Sequence, residues 1–87
     1  MSDRPLPAFE DLTADELELA QSTIGVTAAL ELLGSLGVRM NASEIIRTAT
    51  QRRRINHIAG VARFRTEDLY TIAMQITYER QMAGQAE

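Results

Sequence analysis

The residues best equipped for chemistry lie in one stretch. Arg47, Arg52, Arg53, Arg54, Arg63 and Arg65 fall between residues 45 and 66, and no Asp or Glu interrupts them. The flanking segments are acidic: residues 1–44 hold eight acids against Arg4 and Arg39, and residues 67–87 hold four against Arg80. A net charge of −3 therefore conceals a basic island. A guanidinium is a planar, permanently charged fork of donors that matches carboxylates and phosphates. The island can meet a nucleic-acid backbone or an acidic protein surface. The plainest alternative is internal, each arginine bridging to an acid on a neighbouring helix and doing nothing else.

Catalysis has little to stand on. His57 is the only histidine, and Cys is absent. A zinc site needs several His or Cys ligands. Nothing marks Ser22, Ser35 or Ser43 as an activated nucleophile to work with His57. The glycines at 25, 34 and 37 follow no phosphate-loop spacing. The acids read as capping and solvated residues, and no acid/base pair can be picked out among them. The sequence thus predicts a non-enzymatic protein with no catalytic residue, metal or cofactor. Without Cys a reducing compartment is suitable. No basic-then-apolar leader opens the chain and no apolar run approaches the roughly 20 residues of a membrane span. A cytoplasmic protein that does not use a membrane is the expectation.

These residues must be held by helices. Eighty-seven residues make one domain, and a chain of this size buries only about 60% of its unfolded surface. The composition is 45% hydrophobic with Phe9, Phe64, Tyr70 and Tyr78 as its only aromatics, so Leu, Ile, Val, Ala and Met must form the core, a palette that favours helix. No run alternates with period two for long enough to predict a strand. The expected fold is all-α: a small compact bundle of three to four helices (13–83) with an extended Pro-containing arm (1–12) and a frayed tail (84–87).

The segment from Val26 to Leu36 carries apolar residues in nearly every direction, with Glu31 its only charge. Such a helix belongs at the centre of a bundle. Before it, Thr13-Ala14-Asp15-Glu16 is a capping box that starts a helix. The apolar face switches at Gly25, which places a break or kink at 23–25. Gly37 suits a left-handed helix end, and Asn41 or Ser43 caps the next helix.

That third helix is in conflict with itself. Ile45, Ile46 and Ala49 define one apolar face, and Ile55, Ile58, Ala59 and Ala62 define another. Arg52 would fall between them, and a lone buried guanidinium is costly. A break near 51–54, an internal acid for Arg52, or an exposed face would each resolve it. The last helix starts at Thr66. Leu69, Ile72, Ala73 and Ile76 form its core stripe, while Tyr70, Met74, Tyr78 and Met82 recur every four residues on a second one. Aromatic and Met side chains are enriched at interfaces.

The leading functional expectation is a protein–protein interaction or assembly module. Its arginine-rich surface and the Tyr/Met face would bind a protein partner or a second copy, giving a homo-oligomer. The alternative is a helix-turn-helix-like regulator that contacts nucleic-acid phosphates through Arg47–Arg65. For the latter, residues 26–54 supply a buried helix, a Gly-containing turn and a polar, basic helix. The 37–42 connector exceeds the usual three or four residues, and the acidic chain as a whole weighs against it.

Overall fold

A computed structural model describes residues 9–85. A single 3-10 turn, Phe9–Asp11, precedes helices α1 (Ala14–Ser22), α2 (Val26–Ser35) and α3 (Ala42–Gln51). A two-stranded antiparallel hairpin follows, β1 (Asn56–Ile58) and β2 (Val61–Arg63), and then the long helix α4 (Thr66–Gln85). The remainder of the expected N-terminal arm lies outside the described residues.

The helix boundaries have local causes. Thr13 Oγ1 accepts from the Glu16 amide at 3.1 Å, and the Thr13 amide donates to Glu16 at 2.9 Å. Asn41 and Glu44 repeat the arrangement at the head of α3, at 2.8 and 2.9 Å. Each box satisfies two donors that the first helical turn leaves free. The break between α1 and α2 falls at Thr23–Gly25 as the apolar pattern predicts. Helix α2 ends in a Schellman motif. The Val38 amide returns to the Leu33 carbonyl at 2.9 Å, the Gly37 amide to that of Gly34 at 3.1 Å, and Gly37 has φ +87°.

Helix α3 ends the same way with a different residue. The Arg54 amide returns to Ala49 at 2.8 Å and the Arg53 amide to Thr50 at 3.1 Å. The left-handed position, φ +57°, is held by Arg53. No glycine announces this stop, but it falls within 51–54, where the conflict of apolar faces predicts a break.

The expectation of an all-α fold is therefore corrected by the hairpin. Ile58, Ala59 and Ala62 do not form a helical face; Ile58 pairs with Val61, His57 with Ala62 and Asn56 with Arg63. Ala59 and Gly60 form the two-residue turn with φ +51° and +78°, the pair of positive values that a type I′ hairpin requires. One residue beyond β2, Phe64 and Ile24 exchange both backbone hydrogen bonds at 2.8 Å. The linker between α1 and α2 is thereby tied to the exit of the hairpin.

The core is shared by α2, α3 and α4. Leu33, Ile45, Phe64, Leu69 and Ile72 are fully buried, with Ala29, Ala49 and Val38 closing the gaps between them. Each large side chain so buried contributes about 1.5–3 kcal/mol. Ile58 and Val61 are also buried but lie outside this cluster, in the hairpin whose β1 strand meets α1. Helix α2 is less enclosed than its composition suggests. Val26, Ala29 and Leu33 face inward, while Thr27, Ala28, Glu31, Ser35 and Leu36 are exposed. It is amphipathic, and its outer apolar residues are small except for Leu36.

Candidate functional site

The six arginines of the island have different surroundings. Arg52 lies just past α3 and turns toward α4, donating to Gln75 at 3.1 Å and pairing with Glu79 at 3.3 Å. Both resolutions of its conflict occur together: the helix stops at Gln51, and Arg52 finds an acid. Its Nε is buried without a partner. Arg54 also turns to α4, donating to Asp68 at 3.1 Å. Arg63 caps α1, giving hydrogen bonds to the Ala20 and Thr23 carbonyls at 3.2 and 2.8 Å and to Thr23 Oγ1 at 3.1 Å. A cation there satisfies orphan carbonyls and suits the negative end of the helix dipole. Arg65 is half-buried in a polar recess also lined by Asp15 and Glu18.

Arg47 and Arg53 are different. Both are exposed, and neither guanidinium holds a hydrogen bond or ion pair with another described residue. Ser43, Arg47, Thr50 and Gln51 are all exposed on α3, and at about 100° per residue they share its outward face. Arg53 is exposed two residues past the helix end. From Ile45 to Thr66 no acid occurs, so past Glu44, whose carboxylate accepts from the Asn41 amide at the helix head, this surface offers donors, hydroxyls and an amide. Arg39, in the α2–α3 connector, and His57, on β1, are exposed too. Among the described residues no group of His, Cys, Asp or Glu is placed to hold a metal ion. No helix among them is long and apolar enough to cross a membrane.

A second surface lies on α4. Leu69, Ile72, Ala73 and Ile76 are buried. On the other side Tyr70, Met74, Tyr78 and Met82 are 50, 67, 63 and 47% exposed. With Leu36 they are the exposed large hydrophobic residues among those described. Leu36, Tyr70, Met74 and Tyr78 border a groove of about 290 Å³.

No family model, no curated protein and no solved structure matches this chain. The functional reading rests on geometry.

That geometry separates what the sequence grouped. Arg52, Arg54 and Arg63 make tertiary contacts, and Arg47 and Arg53 are left facing outward. The partners of the first three are far away in sequence, so composition could not sort them. Ser43, Thr50 and Leu36 joined these surfaces only with the fold; the spacing of 43, 47 and 50 along one helix face was the available signal.

Proposed function

We propose that this chain is a non-enzymatic binding module that docks the outward face of α3 against duplex DNA. The observation that carries the reading is the make-up of that face. Arg47, Thr50, Gln51 and Arg53 are exposed beyond Glu44, in a stretch with no acid of its own on a chain that is acidic overall. Ten residues of α3 extend about 15 Å, and a helix of ordinary diameter fits a major groove about 12 Å wide. Arg47 and Arg53 are free to meet phosphates, and Gln51 and Thr50 can offer hydrogen bonds to base edges. RNA duplexes present a deep, narrow major groove that side chains cannot read, so DNA is the better fit.

The backbone at Arg53 supports the same reading. A non-glycine residue in the left-handed region costs about 1 kcal/mol or more. Glycine is the usual residue at this helix-end position. An arginine there, exposed and without an internal partner among the described residues, supports a role for its side chain in contact with something outside the molecule. The hairpin that follows is anchored through Phe64 to Ile24.

The test is a mobility-shift titration with random-sequence duplex DNA at about 50 and 200 mM salt. Binding that weakens with salt, with a slope of roughly −2 to −3 in log K against log salt, is expected from a few phosphate contacts. Arg47→Ala with Arg53→Ala lowers that slope by about 2. Absence of a shift at the lower salt overturns the proposal. Association with protein, the leading expectation from sequence, is supported by a different face, the stripe on α4.

A further inference from the structure

We infer that the α4 stripe is the contact between two copies of this chain, paired antiparallel about a two-fold axis at the level of Ile76. The inference goes beyond the DNA reading and does not depend on it.

Four observations point to a second copy. The first is charge. The face bearing Tyr70, Met74, Tyr78 and Met82 also carries Thr71, Thr77 and Gln81, and Glu67 at its start is its only charged residue. A neutral face cannot select an acidic or basic partner by complementarity, whereas a copy of itself brings an equally neutral face.

The second is area. At about 200 Å² for a large side chain, the observed exposures leave about 500 Å² of these residues and Leu36 uncovered per copy. A symmetric pair would cover about 1,000 Å², the least expected of a specific interface.

The third is pattern. Tyr and Met alternate every four residues. An antiparallel register about residue 76 sets Tyr70 against the second copy's Met82, and Met74 against its Tyr78. Every level then joins a sulfur to an aromatic ring, a favourable contact. A parallel register would stack like on like. In the antiparallel one the second Tyr78 also meets the groove bordered by Leu36 and Met74.

The fourth is support. Beyond Ile76, no residue from Thr77 to Gly84 is buried. Two turns of helix with no packed face are marginal alone. The antiparallel register lays residues 77–84 of each copy along residues 68–75 of the other, the part of α4 that its own core holds. Each unsupported end would rest on a supported one.

The test is sedimentation equilibrium of the full chain from about 1 to 100 µM, since an interface near the minimum area is expected to be of micromolar strength. The wild-type chain should reach twice its 9.7 kDa mass. Met74→Glu and Tyr78→Lys, both at exposed positions, should each keep the helical spectrum and weaken the dimer on the order of 100-fold by placing an unpaired charge in the contact. Mixing the two variants should restore a dimer, because antiparallel pairing sets the new Glu of one against the new Lys of the other and leaves the second Tyr–Met pair intact. A monomeric wild type at the highest concentration overturns the inference, as does a Met74→Glu chain that stays dimeric. Variants that dissociate but fail to combine on mixing overturn the antiparallel register.

Discussion

Arg54 donates from Nη1 to Asp68 Oδ1 at 3.1 Å, joining the exit of α3 to the first turn of α4. The Asp68 side chain is 18% exposed and that of Arg54 35%. Removing the arginine leaves a mostly covered carboxylate without its cation, whereas removing both partners does not. Arg54→Ala is expected to lower stability by about 1 kcal/mol, a figure already reduced for partial solvent screening. That amounts to a fall in Tm of about 4–8 °C for a domain of this size. The Arg54→Ala, Asp68→Ala double variant should recover part of it. An unchanged melting curve for Arg54→Ala would mean that the pair is not structural and that Arg54 belongs with the free arginines.

Arg63 is expected to matter more, because its fork satisfies two carbonyls and a hydroxyl at the end of α1. Arg63→Ala should destabilise by about 1–3 kcal/mol, the cost of leaving such groups unpaired. Arg63→Lys should recover less than half, since an ammonium cannot reproduce the planar fork. Urea unfolding of the three proteins measures this directly. Full recovery by lysine would show that charge at the helix end, not geometry, is what Arg63 supplies.

At Arg53 stability and binding should move in opposite directions. Arg53→Gly relieves the left-handed strain and should raise stability by about 0.5–1 kcal/mol, after allowing for the added freedom of glycine in the unfolded chain. The same change removes an outward cation and should weaken DNA binding. Paired thermal and mobility-shift measurements decide it. A variant that is more stable and binds equally well would leave the retained arginine without a role in DNA binding.

The hairpin turn offers a fourth test. Ala59 sits at φ +51° ahead of Gly60, a position where Asn is preferred to Ala. Ala59→Asn creates the favoured Asn-Gly turn and should raise stability by about 0.5 kcal/mol. Slower amide exchange at Ile58 and Val61 would report it. Faster exchange there would contradict the positive backbone angles.

Much of this architecture was legible from local signals. Thr13–Glu16, Asn41–Glu44 and Gly37 act within a few residues of themselves, and the elements begin and end where those residues indicate. The stripes of α4 follow from spacing alone. The hairpin was hidden by several coincidences. Its strands are three residues each, too short to show alternation. Its turn is Ala-Gly instead of Asn-Gly. The spacing of Ile55, Ile58, Ala59 and Ala62 imitates a helix face, and the stop at Arg53 lacks a glycine. The basic island was visible too, but its division was not. Arg52 and Glu79 are 27 residues apart, and Arg63 and Thr23 are 40 apart, so only tertiary structure could show which arginines stay free.

The exchange of hydrogen bonds between Ile24 and Phe64 closes a loop around α2, α3 and the hairpin. The consequence concerns the order of assembly. A closure over this separation costs about 3 kcal/mol of chain entropy, and that loss is incurred a single time for all the elements inside together. The capped helices can nucleate early from neighbouring residues, but Phe64, just past β2, has its partner only when Ile24 arrives from 40 positions upstream. A mostly helical chain therefore adds to the long-range packing of α2 on α4 a distant backbone pairing of the kind that slows β proteins.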